Sequence, residues 1–167
     1  MSSVNELQAK EAVLQHEQEL RFEAFGRADA LRLGVKIKEL AEDKYENGIV
    51  VNIFLDGMLV FKYAMDGCDL KNEWWLQGKL NTSQKYHSSS LLAMLKVNAG
   101  FFVHTEKAAN NYLLCGGSFP IRLCSGEIIG FVVVSGLSHW NDHQIIADAM
   151  AACLNKKIPS VSDSVGP

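Results

Sequence analysis

The sequence lacks a long apolar run. Its longest apolar stretches, such as 128–134, are far shorter than the roughly 20 residues that a helix needs to cross a bilayer. The charged N-terminal stretch has no apolar segment of the kind found in secretory signals. We therefore expect a cytoplasmic protein that does not insert into a membrane.

The sequence also lacks a cluster of basic residues. Its net charge is -3, and no run rich in lysine or arginine occurs along the chain. Proteins that bind nucleic acid or anionic membranes usually have a basic face, because the phosphates must be neutralised. Neither class of partner is therefore expected.

Paired cysteines are missing as well. The chain has four cysteines, Cys68, Cys115, Cys124 and Cys153, and no two of them form a CxxC pair. Because thiols stay reduced in a cytoplasmic protein, neither a disulfide framework nor a zinc site is predicted. We expect most of these cysteines to be buried as small apolar side chains.

Length and composition predict one folded domain with an unstructured end. A chain of 167 residues fits a single domain, and its apolar fraction of 48% is that of a globular protein. We assign the domain to residues 1–155 and predict a disordered tail at 156–167, which is rich in Pro, Ser and Gly. Residues 1–19 predict a helix with a thin apolar stripe, which we expect to take part in oligomer contacts.

Apolar spacing and turn residues predict the other elements. A helix is expected from Asp29 to about residue 47, because apolar residues recur there every three or four positions. The following elements are a hairpin at 49–65 turning at Asp56-Gly57, helices at 69–86 and 88–98, a hairpin at 119–135 turning at Ser125-Gly126, and a last helix near 141–154. Between them, the polar stretch 104–112 has room for one helical turn.

The order of these elements predicts an α+β fold with an antiparallel sheet and helices packed on its faces. A doubly wound parallel fold would need strands that alternate with helices. Asn141 is the expected N-cap of the last helix, and His139 is expected to precede it. The predicted buried face of that helix consists of Ile145, Ile146, Ala149, Met150 and Cys153.

The stretch from Gly116 to His143 carries a family likeness. With three upstream stretches it resembles the GlcG and HbpS superfamily, the haem-degrading-like group, and in particular its cytosolic branch, over residues 20–153. The matching positions are Gly116-Gly117, Phe119-Pro120-Ile121, Gly126, Gly130, Val134-Ser135-Gly136-Leu137 and Asp142-His143, and upstream Phe25, Asp29-Ala30, Leu33-Gly34, Gly57, Phe61, Tyr63-Ala64, Gly67, Trp75, Lys79, Asn81, Tyr86 and Ser89-Ser90.

The resemblance implies a profilin-like fold, in which an antiparallel sheet lies between helical layers, and a homo-oligomer. Members of the wider superfamily bind haem, other tetrapyrroles or small ligands, and no defined reaction comes with this branch. The resemblance thus implies a small-molecule ligand, with haem as the candidate cofactor. It also implies that Lys79 and Arg122 face the pocket.

Local chemistry favours a pocket at the ends of the second hairpin. The Gly116-Gly117 pair lets a backbone approach a ligand closely, although an ordinary strand-entry turn uses the same residues. Ser135-Gly136 ends a strand just before a helix whose first amides attract anions. The predicted ligand-binding residues are Trp75, Lys79, Ser89, Gly116, Gly117, Phe119, Pro120, Arg122, Ser135, Gly136, Asp142 and His143.

The titratable residues of this region allow alternatives. Asp142 complements the helix dipole or takes part in binding, and His143 is a candidate iron or metal ligand, a general base or a structural residue. His139 and His143 have HxxxH spacing but lack the glutamate of a zinc-enzyme motif, so no metal site is predicted. His87 precedes three serines, which are expected to cap a helix because no nucleophile elbow is present.

Three functions remain open. The favoured one is a non-catalytic, homo-oligomeric binding protein for a small ligand, with haem or another tetrapyrrole as the candidate. The second is an enzyme for a small anionic substrate, in which Lys79 and Arg122 hold the anion and His143 or Asp142 moves protons. The third is an oligomeric adaptor with contacts at residues 1–19 and at Trp74 or Trp75.

Overall fold

The computed structural model describes residues 4–104 and 111–161. Five helices and five strands lie in these ranges, and none of the helices is long and apolar enough to span a bilayer. The elements are α1 (Val4–Glu19), β1 (Arg21–Phe22), α2 (Arg27–Lys44), β2 (Val50–Leu55), β3 (Met58–Ala64), α3 (Leu70–Tyr86), α4 (Ser90–Asn98), β4 (Ser118–Leu123), β5 (Ile128–Ser135) and α5 (His139–Leu154). The helical turn considered at 104–112 falls largely outside the described residues.

The five strands form one sheet in the order β1-β4-β5-β2-β3. Strand β2 pairs antiparallel with β3, and β4 with β5, as the two predicted hairpins require. Strand β2 also pairs antiparallel with β5, which joins the two hairpins. Strand β1 pairs parallel with β4, so the sheet is mixed rather than purely antiparallel. Two residues are too few to show the alternation by which a strand is recognised in a sequence, which is why β1 was not predicted.

Helices cover both faces of the sheet, which confirms the predicted α+β architecture. In β5, the side chains of Val132 and Val134 join the larger core with α2 and α5. Val133, which points to the opposite face, packs with Leu76 and Leu80 of α3. This alternation explains why β5 is apolar along its length: both of its faces are buried.

Helix α1 packs within the chain, on a smaller core of its own. Ala9, Ala12 and Val13 contact α4, and Val161 completes the same cluster. The structure therefore departs from the predicted disordered tail over 156–161, because Val161 is buried and Ile158 packs against the larger core. A contact between α1 and a second subunit stays a prediction.

Two serines cap the helices that precede and follow the second hairpin. The Ser89 hydroxyl accepts a hydrogen bond from Leu92 N at 3.1 Å and caps α4, as expected. Helix α5 is capped by Ser138, whose hydroxyl accepts from Asn141 N at 3.3 Å. The predicted cap at Asn141 was therefore wrong, and His139 is the first residue of the helix, because Ser138 offers an equally good cap one turn earlier.

The expectation for the cysteines was also wrong. Cys124 and Cys153 are exposed, and Cys68 and Cys115 are only partly buried. The rest of the predicted buried face of α5 is confirmed, but Cys153 lies in its last turn, where it faces a shallow groove beside Leu31 and Arg32 rather than the core.

Gly130 in β5 provides a test of the close packing between β5 and β2. A Cβ atom there would meet the carbonyl oxygen of Phe54 and would lie 3.0 Å from Leu55 Cδ2. Because a backbone atom of β2 would have to move, we expect Gly130→Ala to lower the free energy of unfolding by about 1–3 kcal/mol. Urea unfolding measures this free energy. Gly57→Asn is the control, since the Gly57 turn has no neighbour within 4 Å and Asn tolerates its φ of 79°; equal losses in both variants would contradict the packing explanation.

Candidate functional site

A cavity of about 560 Å³ lies between α3 and the loop that joins β5 to α5. Five of the predicted binding residues line it, from both sides of the proposed pocket. The lining residues are Asp69, Lys71, Asn72, Trp75, Lys79, Cys115, Ser135, Gly136, Leu137, His139 and Asp142. Among the described cavities it is the one that collects predicted site residues.

A buried ion pair forms the inner wall of the cavity. Lys79 Nζ lies 2.7 Å from Asp142 Oδ2 and donates a second hydrogen bond to the Val134 carbonyl oxygen at 2.9 Å. The side chains of Lys79 and Asp142 are each only 3% exposed. Asp142 Oδ1 accepts from Leu137 N at 3.0 Å, so this carboxylate also fixes the loop between β5 and α5.

The two glycines of the Gly116-Gly117 pair lie behind this wall and do not line the cavity. Gly117 has a φ of 129°, and a Cβ there would come within 2.6 Å of both Lys79 Nζ and the Val134 carbonyl oxygen. A Cβ at Gly116 would meet the backbone carbonyl oxygen of His139. The pair thus lets Lys79 and α5 approach β4 closely, which is a role in shaping the cavity rather than in touching a ligand.

His139 lines the cavity although it was not predicted as a site residue. Its Nδ1 accepts a hydrogen bond from Gly116 N at 3.1 Å. Burial and the nearby Lys79 charge lower the pKa of His139, which favours the neutral ring. With Nδ1 used as an acceptor, the proton of the neutral ring is on Nε2. The HxxxH spacing singled out His139 in the sequence. Because His139 was expected to precede the helix, it was not assigned to the site.

The polar residues of the cavity rim, Asp69, Lys71 and Asn72, were not predicted as site residues, whereas Trp75 was. The Asp69 carboxylate caps α3 by accepting from Lys71 N at 2.9 Å, and Asn72 Nδ2 donates to Ser135 Oγ at 3.2 Å. Trp75 is the apolar part of the rim, with 43% of its surface exposed. The cap at Asp69 was visible in the sequence, but nothing there shows that the start of α3 faces Ser135.

His143 is buried away from the cavity. Its Nε2 lies 3.0 Å from His16 Nδ1, and His16 Nε2 donates to the Pro159 carbonyl oxygen at 2.6 Å. Since His16 thereby keeps Nδ1 as an acceptor, His143 donates from Nε2. The pair links α1, α5 and the segment after α5, so His143 is a structural residue and is not placed to act as a base or an iron ligand at the cavity.

Arg122 and Ser89 likewise have structural partners away from the cavity. The guanidinium of Arg122 forms an ion pair with the buried carboxylate of Glu17 and donates to the His87 carbonyl oxygen at 2.6 Å. Glu17 also accepts from Ser89 N at 2.6 Å. These contacts join α1 to α4 and β4.

Phe119 and Pro120 lie in β4 and are buried. Phe119 belongs to the larger core, where its ring packs at 5.6 Å from that of His143. Neither residue lines the cavity. Within residues 4–104 and 111–161, no group of three His, Cys, Asp or Glu residues is arranged to hold a metal ion.

A match to a protein-family model shows which family the chain belongs to. A family model described as "Haem degrading protein HbpS-like" matches residues 25–151. The chain belongs to the HbpS-like family. The likeness to this family that was stated from the residues alone is therefore confirmed.

Relatives of this HbpS-like chain match most of its length. A UPF0303 protein of Psychromonas ingrahamii is 33% identical over 150 residues, which cover 88% of this chain and 94% of the relative. The crystal structure of the Ybr137w protein has a TM-score of 0.76 at 24% identity and covers 91% of this chain and 93% of that one. The structure of a PduOC:haem complex has a TM-score of 0.66 at 20% identity, with coverage of 82% and 98%. At these identities the two structures show a shared fold.

The carboxyl group of Asp142 has a perturbed pKa in the HbpS-like cavity. Burial raises its pKa from 3.8 to about 6, against the opposing effects of the Lys79 charge and hydrogen bonds and of the amides of Leu137 and Gly136. As the pH falls below about 6, Asp142 becomes protonated and the ion pair loses its negative partner. Because the folded-state pKa lies above the unfolded value of 3.8, this protonation favours the folded state.

The substitution Lys79→Met tests this pair. Asp142 would remain buried without its partner, so we expect the free energy of unfolding to fall by about 3–5 kcal/mol at pH 7. The folded-state pKa of Asp142 lies above its unfolded value, so protonation in the folded state relieves the penalty, and the loss should be smaller at pH 5. Urea unfolding at the two pH values measures both effects. Lys71→Met is the matched control, because Lys71 is exposed, and a similar loss in the control would contradict the assignment.

The His16–His143 pair gives a pH prediction of opposite sign. Burial lowers the pKa of both rings, so the unfolded chain binds more protons than the folded one below about pH 6.5. The pair's contribution is complete above that pH and falls as the pH decreases. We expect His143→Phe to be less stable at pH 7, with a shallower dependence of unfolding free energy on pH between 7 and 5.5. Urea unfolding at several pH values checks this, and an unchanged slope in a folded variant would show that His143 does not contribute.

Proposed function

We propose that this HbpS-like protein binds a small anionic ligand in the cavity between α3 and α5 and does not catalyse a reaction. Haem or another tetrapyrrole is the candidate ligand, and we propose a cytoplasmic homo-oligomer. The proposal rests on one observation above all: the cavity combines an apolar rim at Trp75 and Leu137 with the basic side chains of Lys71 and Lys79. A flat apolar ring that carries carboxylates is complementary to this combination of surfaces.

The comparisons support haem as the first ligand to test. The matching family is described as haem-degrading, and one protein of the same fold has been solved as a haem complex. These are properties of those proteins, and they enter here as the reason for choosing the ligand class.

The enzyme alternative loses support from the positions of its residues. It needs Arg122 beside Lys79, and His143 or Asp142 to move protons, but Arg122 pairs with Glu17 and His143 pairs with His16. Only Lys79 and Asp142 remain at the cavity, and they are paired with each other. The adaptor alternative is compatible with binding, because Trp74 is 48% exposed and does not line the cavity.

The adjacent tryptophans allow a matched test of the binding site. Titration of the purified protein with haem should give saturable quenching of tryptophan fluorescence and a change in haem absorbance. We expect Trp75→Ala to weaken binding by about tenfold or more, because an aromatic contact with the ring is lost. Trp74→Ala removes an equally exposed tryptophan outside the cavity and should leave the affinity within about twofold of wild type.

Native mass spectrometry of the same samples would count subunits and ligands per subunit. Absence of saturable haem binding to the folded protein would rule out haem. Equal weakening by the two alanine variants would place any binding outside the cavity.

A further inference from the structure

We infer that the cavity recognises its ligand through carboxylate groups, and that a tetrapyrrole bound there receives no iron ligand from the side chains of the cavity. This inference rests on the proposed function and specifies its chemistry. It separates two ways in which a protein can hold haem, by its propionates or by its metal, and assigns this chain to the first.

His139 would be the obvious iron ligand, but its surroundings oppose that role. An imidazole that coordinates iron through Nε2 must offer a lone pair there, and a neutral ring then carries its proton on Nδ1. Nδ1 of His139 faces the backbone amide of Gly116, which already donates to it. Coordination would bring two hydrogens against each other or leave the Gly116 amide without its acceptor, which costs affinity.

The other possible ligands are equally unsuited. Cys115 lines the cavity, but burial raises the pKa of its thiol, whereas iron binds the thiolate. His143 lies outside the cavity and donates to His16. Among the described residues that line the cavity there is no other histidine or cysteine and no methionine or tyrosine.

Hydrogen-bond donors, in contrast, are available. An ammonium group has three donors, and Lys79 uses two of them on Val134 and Asp142. Lys71 is exposed at the rim, and no carboxylate of the described chain lies within ion-pair distance of it. Nε2–H of His139 is a third donor.

The acidic group at the inner wall does not compete for these donors, because Asp142 is held by Lys79 and Leu137 N. Asp69 is exposed at the rim, where one of its oxygens accepts from Lys71 N at the start of α3. The inner wall thus combines a committed carboxylate with donors that remain for a ligand, which is the complement of a carboxylate.

Three porphyrin probes separate recognition of carboxylates from recognition of iron: haem, metal-free protoporphyrin IX, and the dimethyl ester of protoporphyrin IX. We expect haem and the free acid to bind the wild-type protein with affinities within about threefold of each other. The ester should bind at least about tenfold more weakly, because its carbonyl groups carry no charge. The experiment uses the unmodified full chain, so it does not depend on the folding of a variant.

The haem spectrum provides a second readout. We expect the Soret band of bound haem to have the same position in wild type, His139→Asn and Cys115→Ser, since neither residue ligates iron. His139→Asn should weaken haem and free protoporphyrin to the same extent. Haem binding about tenfold or more tighter than the free acid, or a Soret band that shifts in either variant, would overturn the inference while leaving the proposed function intact. Failure of all three probes to bind would overturn both.

Discussion

The ion pair between Lys79 and Asp142 is the constraint on which the arrangement of this region depends. It joins α3 to α5 across the end of β5, and the same two side chains hold the Val134 carbonyl and the Leu137 amide. Two charges withdrawn from water need good geometry and full hydrogen bonding to be tolerated. This requirement explains the neighbouring residue Gly117, because any side chain there would displace the ammonium group.

The same pair connects the fold with the proposed binding chemistry. A lysine held rigidly by two acceptors presents its remaining donor in a fixed direction, so little conformational entropy is lost when a ligand binds. The rim is less constrained, since Trp75 and Lys71 are exposed. The inner wall is rigid and polar, and the rim is exposed. This arrangement suits a class of ligands that share carboxylate groups but differ in their rings.

The sequence predicted most of the fold because its signals were local. The apolar spacing in α2, the Asp56-Gly57 turn and the buried strand β5 each specify their own structure within a few residues. The site was predicted only in part, since its partners are distant along the chain. Lys79 and Asp142 were recognised as candidates, but the partner of His143 is His16 and that of Arg122 is Glu17, and no local pattern connects residues more than 100 positions apart.

The cluster formed by α1, α4 and Val161 has a consequence for how the chain folds during synthesis. Helix α1 is synthesised well before residues 159–161, yet its core includes Val161, and His16 is bonded to Pro159. Helix α1 therefore lacks part of its packing surface until residue 161 has left the ribosome. Contacts of such long sequence separation form late and slow the folding of a domain, so α1 stays without its final partners while the sheet and the other helices are translated.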